Sequence, residues 1–293
     1  MWVLPLARRS STDTASVVGT ALRSVEDAIA SVRQRFPFEG YVKVDSGEYQ
    51  DVAETVLRWL RPPAKILDFG SGPCDKTAVL ASLGYNCSAC DDLKDEWHLI
   101  SDNRERILQF AQTSGVHFVV TDGASRLPFS KGEFDALMMN DVLEHLHDSP
   151  KNLMLNLLDL VKSRGMLFVT VPNAVNLWKR ARVLFGRTNL PSFDSYYWYP
   201  NPWRGHVREY SKVDLEQLCS FLDLEVLELH GVHHALHAIP KPLKPIWIAL
   251  TGLARGARDS WSLVARKKLN WSPKALSRDE IQSMLRPLGK YQH

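Results

Sequence analysis

Apolar residues recur at helical spacing early in the chain. Val17, Val18, Ala21, Leu22, Val25, Ile29 and Val32 fall on one face, which predicts a helix over 12–35. The run Phe36-Pro37-Phe38-Glu39-Gly40 ends it, and a second helix is predicted over 48–60, stopped by Arg61-Pro62-Pro63. The pattern then changes. Short apolar runs at 65–69, 86–90, 116–121, 134–139 and 166–171 read as strands, and the amphipathic stretches 75–83, 96–112 and 151–161 between them read as helices. A further helix is expected over 212–222, with strands at 224–229 and 261–265. Strands that alternate with helices imply a mostly parallel sheet covered on both faces.

Two stretches break the alternation. Residues 174–210 are rich in aromatics and turn formers and read as an insertion or lid. Residues 240–258 mix basic side chains with the apolar run IWIALTGLA, which is too short to span a bilayer. The expected organisation is an N-terminal helical extension (1–60), a main domain (61–268) carrying both segments, and a loosely ordered polar tail (269–293). The helix in 240–258 is expected to pack before the last strand. The alternative is a helix lying in a membrane interface, since 241–268 carries seven basic residues against the single acid Asp259.

Composition adds mostly exclusions. With 36 basic and 33 acidic residues the net charge is +3, too balanced to imply nucleic-acid binding. The first residues, MWVLPLARRS, carry too short an apolar run for a signal peptide, so a cytoplasmic protein is expected. Cys87 and Cys90 form a CxxC with no second pair, and with Cys74 and Cys219 they read as small buried thiols.

The chemistry starts at ILDFGSGPCDKTA, a strand running into a glycine turn and then a helix. Gly70 and Gly72 would let backbone N–H groups approach a ligand closely. The position a dinucleotide fingerprint reserves for its third glycine holds Asp75, whose charge would repel a pyrophosphate. No Lys-Ser/Thr pair follows, so the turn is not a P-loop either. Asp68, at the strand end, suits a cationic amine. The second strand ends at Asp91-Asp92, where a carboxylate can accept ribose hydroxyls, and the third runs into Thr121-Asp122-Gly123, where one can hold the amine of adenine. Amine, ribose and adenine without phosphate is the specification that results.

These motifs, ILDFGSGPC, YNCSACDD, VVTDGASRLPF and FDALMMNDVLEHL, followed by the strand MLFVTVPN, resemble the class I S-adenosylmethionine (SAM)-dependent methyltransferases over about 60–230. The resemblance implies a Rossmann-like three-layer α/β sandwich with a mostly parallel seven-stranded sheet. It also implies an enzyme with SAM as cofactor. Asp68, Gly70 and Gly72 would surround the methionine part, Asp91 the ribose, and Asp122 the adenine amine with Gly123 beside it, while Asn140 would lie next to the sulfonium. The departure is Cys74, where the family commonly has glycine.

Methyl transfer to an oxygen needs alignment and removal of a proton, and neutral histidine suits the second task. His145 in NDVLEHLHD and His206 in RGHVREYS are the candidate bases, each with the alternative of a purely structural role. HVREYS resembles a segment of sugar- and polysaccharide-associated members of the family. Glu144 could orient a base. Arg208 could hold an anionic acceptor group, and Trp198 and Trp203, with Tyr196, Tyr197 and Tyr199, could stack on it or form an apolar lid; the alternative is a satellite core under the insertion. His145, His147 and Asp148, and likewise His230, His233, His234 and His237, lack a dedicated ligand spacing, so no metal is expected, and His233 and His234 are expected on a surface loop or the lid. The acceptor expected is a hydroxyl on a sugar, glycan or lipid-linked molecule. N-methylation, a quinone-type phenol acceptor, or a catalytically silent scaffold are the alternatives.

Overall fold

The computed structural model describes residues 24–121, 127–200, 202–254 and 256–289. Helix α1 (Val25–Arg35) starts where the Ser24 hydroxyl accepts from the Asp27 N–H, so the helix predicted over 12–35 is capped at Ser24; residues 12–23 lie outside the described residues. Helix α2 (Glu48–Trp59) follows. Then come β1 (Lys65–Phe69), α3 (Asp75–Ser82), β2 (Asn86–Asp91), α4 (Asn103–Thr113), β3 (His117–Val120), β4 (Phe134–Asn140), α5 (Pro150–Asp159) and β5 (Val161–Pro172). The insertion holds α6 (Leu177–Leu184) and α7 (Phe193–Trp198), and the chain ends with α8 (Lys212–Phe221), β6 (Leu224–Val232), α9 (Lys244–Leu253), β7 (Ser260–Lys267) and α10 (Arg278–Gly289).

The seven strands form one sheet in the order β3-β2-β1-β4-β5-β7-β6, with β7 antiparallel to both its neighbours and the pairs from β3 to β5 parallel. The expected α/β sandwich is therefore present. Strand alternation feeds two cores, as a sheet covered on both faces requires. Ile66, Ala136, Met138 and Phe168 enter the core beneath α1–α4, and Leu67, Leu137, Met139 and Val169 the one beneath α5 and α8. All four cysteines are free and buried, as their spacing suggested.

Four local expectations are corrected. The helix expected over 96–112 is a short 3-10 turn, Glu96–Leu99, and then α4; Ser101 sits at φ 53°, and the Asn103 side chain donates to the Trp97 carbonyl at 2.6 Å, which fixes the break. His234, expected on a surface loop or the lid, is buried: its Nε2 meets Asp51 at 3.2 Å and its N–H donates to Asp259 at 2.8 Å. Helix α9 does not pack its apolar side as favoured: Thr251 is its buried residue, whereas Ile246, Leu250 and Leu253 are exposed. The tail is docked rather than loose at its start. Trp271 donates to the Leu222 carbonyl at 2.6 Å beneath the Lys267 ammonium, and the Lys274 N–H donates to Phe221.

Candidate functional site

A cavity of about 1020 Å³ opens at the carboxyl ends of β1, β2 and β4, the edge at which parallel sheets place ligands. Its floor comes from the first turn. Gly70 and Gly72 have φ 72° and 54°, and the Gly70 and Ser71 N–H groups donate to the Cys90 carbonyl at 2.7 and 3.1 Å, which folds the turn over β2. The two glycines serve different ends. A Cβ on Gly70 would lie 2.5 Å from Val142, whereas one on Gly72 would meet nothing within 4 Å. Gly70 is thus required for packing, and Gly72 leaves room for a ligand. Cys74, the departure from the family, has φ 68°. It occupies a left-handed conformation that glycine adopts without strain, and its thiol is fully buried.

Asp68 is buried at the end of β1. One carboxylate oxygen accepts from the Thr77 hydroxyl at 2.5 Å, and the other has no partner among the described residues. Burial, only partly offset by Thr77 and by the Lys76 charge, raises its pKa to about 7. An orphaned buried carboxylate at a glycine turn is a fit for the cationic amine of SAM. Asp91 also lines the cavity, although its oxygens accept from the Gly72 and Leu93 N–H groups at 2.8 Å; the second lone pair of each oxygen remains for ribose hydroxyls. Asn140, at the end of β4, accepts from Thr170 at 3.0 Å and has its amide nitrogen buried without a partner among the described residues. Asp122 and Gly123 lie outside the described residues.

Sequence reasoning missed part of the wall. Tyr49 reaches from α2 to donate to Asp75 at 2.5 Å, so the helix-start carboxylate already has a hydrogen-bond partner within the protein. Lys76 pairs with Glu48 and, at 3.1 Å, with Asp141. His98 is buried at the cavity with both ring nitrogens unpartnered among the described residues and its ring 4.1 Å from that of Trp97. Burial holds its pKa below the usual range. An Asp-rich strand end beside a Trp-His pair was the available signal.

The opposite wall joins segments far apart in sequence. The Val207 N–H donates to the Glu144 carbonyl at 2.7 Å, and the Tyr210 hydroxyl to that of Leu143 at 3.3 Å. His145 Nδ1 meets the Arg204 carbonyl at 2.8 Å and His147 Nε2 that of Trp203 at 2.7 Å. The Arg204 guanidinium pairs with Asp92 at 3.0 Å and Asp95 at 2.5 Å, clamping the lid to the loop after β2. Gly205 lets the Trp203 ring fold back, since a Cβ there would lie 2.1 Å from it.

His145 and His206, predicted separately, stand together with ring centroids 5.0 Å apart. A carbonyl only accepts, so His145 carries its proton on Nδ1 and presents Nε2 as a base. Glu209 likewise takes the Nδ1–H of His206 at 2.9 Å. Burial is the main reason the His145 pKa lies below the usual range, which keeps its ring neutral near pH 7. His145 and Trp203 line the cavity, whereas His206, expected as a catalytic base, stands behind His145 with its Nε2 4.0 Å from the buried Glu144 carboxylate. Trp198 does not line it: it is 78% exposed on α7 and packs on Tyr197. Arg208 is also turned away, paired with Asp214 at 3.0 Å.

Three comparisons bear on this geometry. A family model described as a methyltransferase domain matches residues 41–229. Demethylmenaquinone methyltransferases of Corynebacterium efficiens and Corynebacterium glutamicum are 29% identical over 119 residues, and the match covers 36% of this chain and 46% of theirs, so the chain spans about half the length of these curated relatives. Among solved structures, a Burkholderia thailandensis 1,6-didemethyltoxoflavin-N1-methyltransferase with bound 1,6-didemethyltoxoflavin and S-adenosylhomocysteine superposes with a TM-score of 0.50 at 18% identity, covering 89% of this chain and 100% of that one. The [4+2]-cyclase SpnF gives 0.52 at 16%, covering 84% and 94%. At these identities the structures show the shared fold.

Proposed function

We propose that this chain, which belongs to the methyltransferase-domain family and is a SAM-dependent enzyme, methylates a hydroxyl on a small sugar-like or lipid-linked acceptor. SAM supplies a methyl group made electrophilic by its sulfonium. Asp68 would hold the amine, the Gly70–Gly72 turn the methionine backbone, and Asp91 the ribose, with Asn140 beside the reacting end. The carrying observation is His145 in the cavity wall with His206 packed against it, ring centroids 5.0 Å apart. Both imidazoles are anchored through Nδ1–H, and both Nε2 atoms lie 4.0 Å from Glu144 Oε1. A neutral imidazole so fixed can take a hydroxyl proton without first reorienting. The clamped lid, with Trp203 against the cavity, would exclude water from the transfer.

A lipid-linked acceptor is supported by surface rather than by site. Ile246, Leu250 and Leu253 on α9, and Leu184, Phe185 and Trp198 in the insertion, are exposed, with Arg182, Arg187 and Lys241 in or next to the same segments. Apolar and basic side chains presented together suit an anionic lipid surface. No helix among the described residues is long and apolar enough to cross a membrane.

The test is a screen of hydroxylated sugars, phenols and amines with SAM, read by product mass. A methylated hydroxyl, with turnover falling about 100-fold or more in His145→Ala or His206→Ala at nearly unchanged SAM affinity, is expected. Methylation of amines alone would replace oxygen by nitrogen as the target. No SAM binding by calorimetry would leave the silent-scaffold reading.

A further inference from the structure

Glu144 is unexplained by acid–base chemistry alone. Its side chain is 0% exposed, and neither carboxylate oxygen has a hydrogen-bond partner among the described residues. A buried carboxyl with empty acceptors is costly unless something fills them. What faces it is two imidazole nitrogens. His145 Nε2 and His206 Nε2 each lie 4.0 Å from Glu144 Oε1, too far for a hydrogen bond.

The imidazoles are also held from behind. His145 donates Nδ1–H to the Arg204 carbonyl, and His206 donates Nδ1–H to Glu209, which is itself paired with Lys179. Histidines that bind metals are oriented in this way, by a carbonyl or carboxylate on the second nitrogen. The three ligand atoms lie within 4.8 Å of one another. A point equidistant from them is about 2.5 Å or less from each, against bonds of roughly 2.0–2.2 Å to a first-row divalent ion. Small side-chain rotations would close that gap. Two imidazoles and one carboxylate leave coordination positions open, and His145 faces the cavity. The neighbouring carboxylate Asp141 is already paired with Lys76.

We propose that Glu144, His145 and His206 bind one first-row divalent cation, with open positions toward the acceptor side of the cavity. Its use rests on the hydroxyl-methylation reading; its existence does not. With the ion in place both Nε2 atoms are ligands, so the direct base role proposed above is replaced: an acceptor hydroxyl would be acidified by coordination and lose its proton to solvent before the lid closes for the transfer. The spacing of histidines in sequence gave no hint of this, because two ligands come from the turn after β4 and the third from the far end of the lid.

The experiment uses tag-free full-length protein stripped with a chelator and titrated with Co²⁺, followed by calorimetry and by ligand-field absorption. One Co²⁺ per chain is expected, with affinity at least about 100-fold weaker in Glu144→Gln and His206→Ala, and about 10–100-fold weaker in Glu209→Gln, which touches the ion only through His206. His230→Ala, on β6, should bind like the parent. Far-ultraviolet circular dichroism checks each fold, and Glu209→Gln serves if His206→Ala fails it. No binding at about 1 mM Co²⁺, a concentration at which even a weak −4.1 kcal/mol site half fills, overturns the proposal. So does binding undiminished by both Glu144→Gln and Glu209→Gln. SAM binding and hydroxyl methylation without Co²⁺ binding would sink the metal site and leave the methylation reading standing. One Co²⁺ at the cluster with no hydroxyl ever methylated would do the reverse.

Discussion

Replacing Asp68 by Asn should make the ligand-free protein more stable and at the same time remove its SAM site. The carboxyl is fully enclosed, with one oxygen on Thr77 and the other unpartnered among the described residues, and burial lifts its pKa from 3.8 to about 7. The sign follows from proton linkage. Between pH 4 and 7 the folded state holds a proton that the unfolded chain has released, so stability falls as pH rises through this window and is flat above it. At about 1.36 kcal/mol per pH unit, the displacement from 3.8 to about 7 costs the folded state about 4 kcal/mol at pH 8. Asn carries no charge to bury, and its amide oxygen can still accept from Thr77. Asp68→Asn should therefore gain up to about 4 kcal/mol over the parent at pH 8 and almost nothing at pH 4. Urea denaturation at both pH values reads this directly. The parent should also bind SAM more tightly as pH rises toward 7, by about tenfold per pH unit, since the amine needs the carboxylate ionised. Titration calorimetry should show that slope in the parent and its loss, with much weaker binding, in Asp68→Asn. An equal stability difference at pH 4 and pH 8 would refute the burial argument. Parent-like SAM affinity in the variant would refute the amine assignment.

Other outcomes follow from single contacts. At Cys74, φ 68° means that Cys74→Gly should be more stable than Cys74→Ala by about 1 kcal/mol in denaturant titration, the reverse of the usual order inside an element. Gly72→Ala should keep the parent melting temperature to within a few degrees but weaken SAM binding, whereas Gly70→Ala, which drives a methyl into Val142, should lower melting itself. Arg204→Ala frees the clamp to Asp92 and Asp95, and limited proteolysis should cut within 199–207 faster, with SAM slowing the cut in the parent. Vesicles with anionic lipid should co-sediment the protein at low salt, and less after Leu253→Glu.

The sheet was readable from the chain because each strand is a short apolar run feeding two cores, and the glycine turn because its residues are neighbours. Asp68, Gly70, Gly72, Asp91 and Asn140 all sit at strand ends on one edge, so a pattern of strands suffices to gather them. The misjudged parts depend on partners distant in sequence. His234 is buried by Asp51 and Asp259, which α2 and the turn before β7 deliver. Periodicity could not show that α9 lacks a packing surface, nor that Trp198 faces outward while Trp203 faces in. The inward turn of Trp203 is set by Gly205 and by carbonyl contacts from 203 and 204, none of which leaves a spacing in the sequence.

Arg204 ties these two kinds of information together. Its guanidinium holds Asp92 and Asp95, beside the Asp91 that would carry the ribose, and its carbonyl holds the Nδ1–H of His145. One lid residue thus spans from the nucleoside side of the cavity to the acceptor side. A lid pulled away would at once lose the carbonyl that fixes the His145 tautomer and leave two carboxylates, Asp92 and Asp95, facing each other without a cation. The arrangement makes an open lid and an oriented His145 mutually exclusive. Were His145 the base, as proposed, proton removal would be confined to a closed lid, in which Trp203 stands against the cavity and water has least access.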